Sequence, residues 1–162
     1  MDGYARPASI YILCGFVGSG KTTFAQRVEA ETGAVRFTLD EWLIPLFGER
    51  MSREEMDRRI SFFEAHFKEL AVRLLHRGVD VIFDFGFWKR AQRDEIRAWA
   101  RSIDAEVKMV HFSADLSECK RRVLARGEIP GGAFTIDEDT FDALAKNYEP
   151  PGADEQFSQT VG

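Results

Sequence analysis

Apolar residues along the chain fall into short runs bounded by turn residues and longer stretches that repeat every three or four positions, and the two kinds alternate. The first run predicts a strand over 9–14, and residues 23–32 read as a helix stopped by Gly33. A short strand over 34–39 follows, with Val35, Phe37 and Leu39 alternating with Arg36 and Thr38, then a short helix over 41–47 that closes at Gly48. Ser52 and Glu55 form a capping box opening a long helix that runs to Arg77 and stops at Gly78. Its core stripe is Met56, Ile60, Phe63, Phe67, Leu70 and Leu74, and Phe62 falls off that stripe, toward either a cleft or a neighbouring helix.

Residues 79–85 are apolar apart from their aspartates, as in a central strand buried on both faces. Residues 89–102 predict a helix, 106–112 a strand, and Asp115 with Glu118 caps a helix reaching Arg126. Residues 127–132 are rich in glycine and proline and read as a mobile loop. Thr135 and Glu138 suggest a second capping box, for a helix to about residue 148, and Pro150-Pro151-Gly152 ends it before a last edge strand within 156–161. The alternation predicts one α/β domain over 1–162, a parallel sheet with helices on both faces and a short lid at 127–140.

At 162 residues and 44% hydrophobic content the chain can pack one core. A formal net charge of −5 supplies no field for a polyanion, so a small molecule is expected as partner rather than nucleic acid. The longest apolar run, 10–17, is far short of the roughly 20 residues a membrane span needs. Residues 1–7 lack the basic start and apolar middle of a signal peptide, so a soluble cytoplasmic protein is expected. Cys14 and Cys119 read as buried thiols in a reducing compartment, and the scattered His66, His76 and His111 give no metal-ligand spacing.

Chemistry enters at the first strand–helix junction. Gly15-Phe16-Val17-Gly18-Ser19-Gly20-Lys21-Thr22 matches G-x-x-x-x-G-K-[ST] at every fixed position, between a strand and a helix as that motif requires. The glycines let backbone N–H groups turn inward, so Gly15, Val17, Gly18, Ser19, Gly20, Lys21, Thr22 and Thr23 are the expected nucleotide-binding residues. Lys21 carries a positive charge to the β/γ-phosphates, and the Thr22 hydroxyl is a candidate Mg²⁺ ligand.

A parallel sheet collects ligands at the carboxyl ends of its strands. Asp84 ends the run Val81-Ile82-Phe83 and is a second candidate for the metal. Asp40 follows the second strand, expected to neighbour the first; it is a candidate general base, with a plain N-cap as the simpler role. Arg122 and Arg126 share a helix face beside the mobile loop and suit the charge of a moving phosphoryl group. Lys89, Arg90 and Arg93 are weaker candidates for substrate contact. An acceptor pocket is expected from the 42–47 segment, from 62–66 and from Phe87-Trp88, with Trp42, Phe62, Trp88 and Arg90 reaching the substrate beside Asp40.

Taken together, Gly15 to Thr22, Thr38-Leu39-Asp40-Glu41-Trp42, Asp84-Phe85-Gly86-Phe87-Trp88 with Arg90 and Arg93, Arg122 with Arg126, and Tyr148-Glu149-Pro150-Pro151 resemble the small AAA-domain-labelled P-loop kinases. These group with chloramphenicol phosphotransferase, zeta toxin, gluconate kinase and the polynucleotide kinase domain. The resemblance implies a five-stranded parallel sheet of the nucleoside-monophosphate-kinase type, ATP with Mg²⁺, and γ-phosphoryl transfer to a hydroxyl. By position it makes Asp40 the base and Arg122 and Arg126 the lid-side arginines, with Lys21 and Thr22 on nucleotide and metal. Residues 127–140 depart from arginine-rich lids, holding no Lys or Arg and four acidic residues. The expected activity is phosphorylation of an antibiotic, nucleoside or sugar. Its rivals are a toxin-like kinase of a nucleotide sugar or nucleic-acid 5′ end, and an ATP-dependent switch protein.

Overall fold

The computed structural model describes residues 7–127 and 132–162. Positions 128–131 of the expected mobile loop therefore lie outside the described residues, as do 1–6. The elements are β1 (Ser9–Cys14), α1 (Lys21–Thr32), β2 (Val35–Phe37), α2 (Leu39–Phe47), α3 (Arg53–Leu75), β3 (Val81–Gly86), α4 (Arg90–Ser102), β4 (Glu106–Phe112), α5 (Leu116–Arg126), α6 (Glu138–Ala145) and β5 (Gln159–Val161). The five strands form one all-parallel sheet in the order β2-β3-β1-β4-β5, an α/β fold of the P-loop type.

Side-chain alternation along the strands divides the core between two faces. Ile10, Ile12, Val81, Phe83 and Met109 pack against Phe67 and Ala71 of α3 and Ile96 and Ala100 of α4. Leu13, Ile82, Val110 and Phe112 pack with Ala25 and Val28 of α1. A third cluster joins Phe16 to Cys119 and Val123 of α5 and Phe141 of α6, so the loop after β1 is itself anchored in the core.

Several local expectations change. The second strand pairs with β3, and β3 separates it from β1, so Asp40 starts one strand further from the phosphate loop than the chain order suggested. Helix α2 begins at Leu39 with Thr38 in the N-cap position, which places Asp40 inside the first turn rather than at the cap. On α3, Leu70 is 39% exposed and Ala71 is fully buried in its stead, because the small side chain lets the helix approach the sheet. The Ser52/Glu55 capping box forms as expected. The second box does not: the carboxylate of Asp137 accepts from the Thr140 amide at 2.8 Å and caps a shorter helix ending at Ala145. Asp115 caps α5 through the Glu118 amide at 2.9 Å. No helix among the described residues is long and apolar enough to cross a membrane.

Candidate nucleotide and acceptor site

The phosphate loop fills the bend between β1 and α1, and its glycines are there for reasons of space. A Cβ on Gly15 would lie 2.8 Å from both Phe112 Cβ and Ser19 Oγ. Gly18 has φ +80, and a Cβ there would come within 2.5 Å of the Cys119 carbonyl oxygen and 2.7 Å of Val123 Cγ2. The loop is therefore pressed directly onto α5, the helix that carries the two candidate arginines. The Lys21 ammonium donates to the Phe16 carbonyl at 2.7 Å, and burial lowers its pKa against the opposing pull of Asp84.

Asp84 faces α1 by the alternation along β3, which sends Ile82 to the α1 side and Val81, Phe83 and Phe85 to the other. Ile12 faces Phe83 while Cys14 faces Gly86, so Asp84 and Phe85 together stand opposite the single Leu13. Such an extra residue interrupts the pairing of the two strands just before the phosphate loop begins. The Thr22 hydroxyl donates to Asp84 Oδ2 at 2.7 Å. Burial raises the Asp84 pKa, and Lys21 and the Thr22 hydroxyl partly offset that rise. A hydroxyl and a carboxylate side by side at the start of α1 are the hard oxygen donors that suit Mg²⁺. Ser19 Oγ, also in the loop, is buried without a hydrogen-bond partner.

These groups open onto a cavity of about 820 Å³ lined by Val17 to Phe24, Thr38, Asp40, Glu41, Asp84, Phe85, Trp88, Arg122, Arg126 and the 132–133 segment, among others. Asp40 is half-buried, and burial raises its pKa, with the nearby Asp84 charge pushing the same way. The Phe134 amide donates weakly to Asp40 Oδ2 at 3.4 Å, and the Thr135 amide donates to Glu49 Oε2 at 2.8 Å. Two successive amides after the undescribed stretch are thus held by carboxylates at the start of α2 and just beyond its end.

Of the residues singled out in the sequence, the cavity gathers Val17, Gly18, Ser19, Gly20, Lys21, Thr22, Thr23, Asp40, Asp84, Trp88, Arg122 and Arg126. Gly15 lies beneath it, fully covered. Of the residues expected around the acceptor, Trp88 and Asp40 line this cavity and Trp42, Phe62 and Arg90 do not. Trp42 is 45% exposed and packs on Phe63 and Phe67, while Phe62 is 56% exposed and stacks on His66 at 4.1 Å. Phe87 is buried in the core, and Arg90 points away to pair with Asp154 at 3.0 Å. Helical geometry explains this: the α2 face carrying Asp40 is used for the cavity, and Trp42, two residues on, projects to a different face.

What the sequence did not reveal is the support under Trp88. Arg93, 1% exposed, makes a two-pronged pair with Glu155 at 2.8 Å in each arm. Its remaining Nη1 donates to the carbonyls of Phe87, Trp88 and Glu149 at 3.0 to 3.2 Å. This one side chain ties the C-terminal segment to the turn after β3, where Phe87 has φ 47. Trp88 then packs on Phe16 of the phosphate loop at 4.7 Å between ring centres.

A phosphate loop on the central strand, a carboxylate at the end of the adjacent strand and the β2-β3-β1-β4-β5 order define a P-loop nucleotide-binding protein of kinase-like fold. A family model described as an AAA domain matches residues 10–151, and the chain belongs to that family. Among solved structures it is similar to a gluconokinase from Sinorhizobium meliloti 1021, with TM-score 0.58, 17% identity and coverage of 96% of this chain and 83% of that one. It is similar to Kti12 of Chaetomium thermophilum in complex with ADP-AlF3, with TM-score 0.62, 18% identity and coverage of 88% and 81%. A chain of the Pnkp1/Rnl/Hen1 RNA repair complex matches with TM-score 0.64 and 22% identity over 86% of this chain and 43% of that one. At these identities the likeness is one of fold. No curated protein matches the chain in sequence.

Proposed function

We propose that this protein is an ATP-dependent phosphotransferase that moves the γ-phosphoryl group of Mg·ATP onto a hydroxyl of a small molecule, with Asp40 as general base. The observation that carries the reading is the convergence of Asp40, Lys21, the Thr22–Asp84 pair, Arg122 and Arg126 on one cavity. Simple nucleotide binding needs neither a base nor paired arginines there. A switch protein would instead present Trp42, Phe87 and Trp88 as one exposed patch, and only Trp42 is exposed.

In this reading the backbone amides of the phosphate loop and the N-terminus of α1 hold the phosphates, and Lys21 leaves the Phe16 carbonyl to meet them. Thr22 and Asp84 would hold Mg²⁺, which supplies charge neutralisation on the phosphate oxygens. Asp40 accepts the acceptor's hydroxyl proton as the new O–P bond forms and the bond to the β–γ bridging oxygen breaks, leaving ADP. Arg122 and Arg126 stabilise charge on the moving group; Arg122 exchanges its contact with Glu118, now 2.7 Å, for the phosphoryl oxygens. The 127–140 segment acts as the lid, and the buried free thiols Cys14 and Cys119 suit a cytoplasmic setting.

The test is ADP release and product mass with Mg·ATP and a panel of hydroxyl acceptors, for the wild type and Asp40→Asn. The variant is expected to keep nucleotide affinity and lose at least ~100-fold in transfer. Transfer surviving within about tenfold would remove Asp40 from the chemistry.

A further inference from the structure

Residues 132–137 pass the cavity between two anchors, and Gly132, Ala133 and Ile136 line it on the way. At one end the Asp137 carboxylate caps α6, and Ile136 packs against the cluster of Phe16, Cys119, Val123 and Phe141. Phe141 meets Phe16 at 5.1 Å between ring centres, and Lys120 of α5 pairs with Glu138 at 2.8 Å and Asp142 at 2.9 Å. At the other end the segment is fastened to α2. Glu49 Oε2 accepts from the Thr135 amide at 2.8 Å, and Asp40 Oδ2 accepts from the Phe134 amide at 3.4 Å. Glu49 is exposed, stands just past the Gly48 cap of α2 and does not line the cavity.

The two contacts are unequal, and the chain couples them. The short one is the strong one, a backbone N–H on a carboxylate. Adjacent Cα atoms are held about 3.8 Å apart across a planar peptide, so pinning the Thr135 amide restricts where the Phe134 amide can go. That second amide matters to Asp40. Against burial, which raises the Asp40 pKa, the Phe134 N–H is the strongest opposing influence, ahead of the charges of Arg126 and Lys21. It also engages Oδ2, which leaves Oδ1 to take the proton of a hydroxyl. With the kinase reading above as premise, we propose that Glu49 is a positioning residue: by holding the Thr135 amide it keeps the Phe134 amide on Asp40 and so fixes the base for the acceptor's hydroxyl. Its effect falls on the transfer step, because a base displaced by about 1 Å loses much of its advantage.

Two variants test this. Glu49→Ala removes the acceptor of the Thr135 N–H, whereas Glu49→Gln keeps an oxygen that can accept it. Residue-resolved amide hydrogen exchange on the protein without substrates reads the contact itself. The Phe134 and Thr135 amides are expected to exchange at least ~10-fold faster in Glu49→Ala, the scale of one hydrogen bond to a charged group, and within ~3-fold of wild type in Glu49→Gln. Unchanged exchange in Glu49→Ala overturns the inference whatever the activity. Steady-state kinetics with Mg·ATP and an acceptor that the wild type phosphorylates then read the consequence. Glu49→Ala is expected to lower kcat at least ~10-fold with the KM for ATP within ~3-fold, and Glu49→Gln to restore kcat to within ~3-fold. In Asp40→Asn, where the base is already gone, adding Glu49→Ala should cost less than ~2-fold. A full ~10-fold loss in that background, or a raised KM with kcat unchanged, overturns the inference and leaves the kinase reading standing. Failure of the wild type to phosphorylate any acceptor overturns the kinase reading, and with it any role of Glu49 in transfer.

Discussion

Replacing Glu155 by Gln removes the charge that faces Arg93 while keeping the side chain's shape. Both groups are almost wholly enclosed, with side-chain exposures of 2% and 1%. A buried guanidinium that loses its carboxylate typically costs about 3–5 kcal/mol. The acid's own titration gives a consistent figure, since a carboxylate held at about 2 by the Arg93 hydrogen bonds, instead of its ordinary 4.5, contributes about 3 kcal/mol. Arg93 keeps its three backbone carbonyls, so the lower half of the range is expected. For a chain of this size that lowers Tm by roughly 8–12 °C in a thermal melt at pH 7. The pH dependence has a fixed sign. Glu155 binds its proton more weakly folded than unfolded, so its contribution is complete above about 4.5 and is lost as pH falls toward about 2. The acid loss of stability over that window should therefore be shallower in Glu155→Gln than in the wild type. A fall in Tm under about 3 °C, or identical acid limbs in the two proteins, would refute the claim that this pair holds the turn beneath Trp88.

Gly18→Ala meets both a φ of +80 and a backbone oxygen 2.5 Å from the new Cβ, so the loop must move off α5. Titration with a fluorescent ADP analogue should show at least ~10-fold weaker binding, and unaltered affinity would contradict that packing. The acid limb of the transfer rate should have its midpoint above the ordinary 3.8 of an aspartate, because burial raises the Asp40 pKa and the base is protonated as pH falls through it. A pH–rate profile flat down to 3.8 would place the base elsewhere.

The division between what was legible in the sequence and what was not follows the range of the interactions involved. The phosphate loop, the capping box at Ser52 and Glu55, and the alternation of strands with helices depend on neighbours a few residues apart, and each could be read directly. So could Asp84 and Asp40 as acids at strand ends. The order of strands could not, because the insertion of β3 between β1 and β2 is decided by which apolar faces pack together. Nor could the extra residue of β3 opposite Leu13, which exists only as a mismatch between two strands. The acceptor wall shows the same limit: Trp42, Phe62 and Arg90 looked available, yet helix rotation and an ion pair with Asp154 turn them away. Arg93 read as a weaker candidate for substrate contact, since nothing local marks Glu155, 62 positions on, as its partner. Short-range physics thus wrote the chemistry of the phosphate site into the sequence, while burial and long-range pairing decided which side chains share a cavity with it.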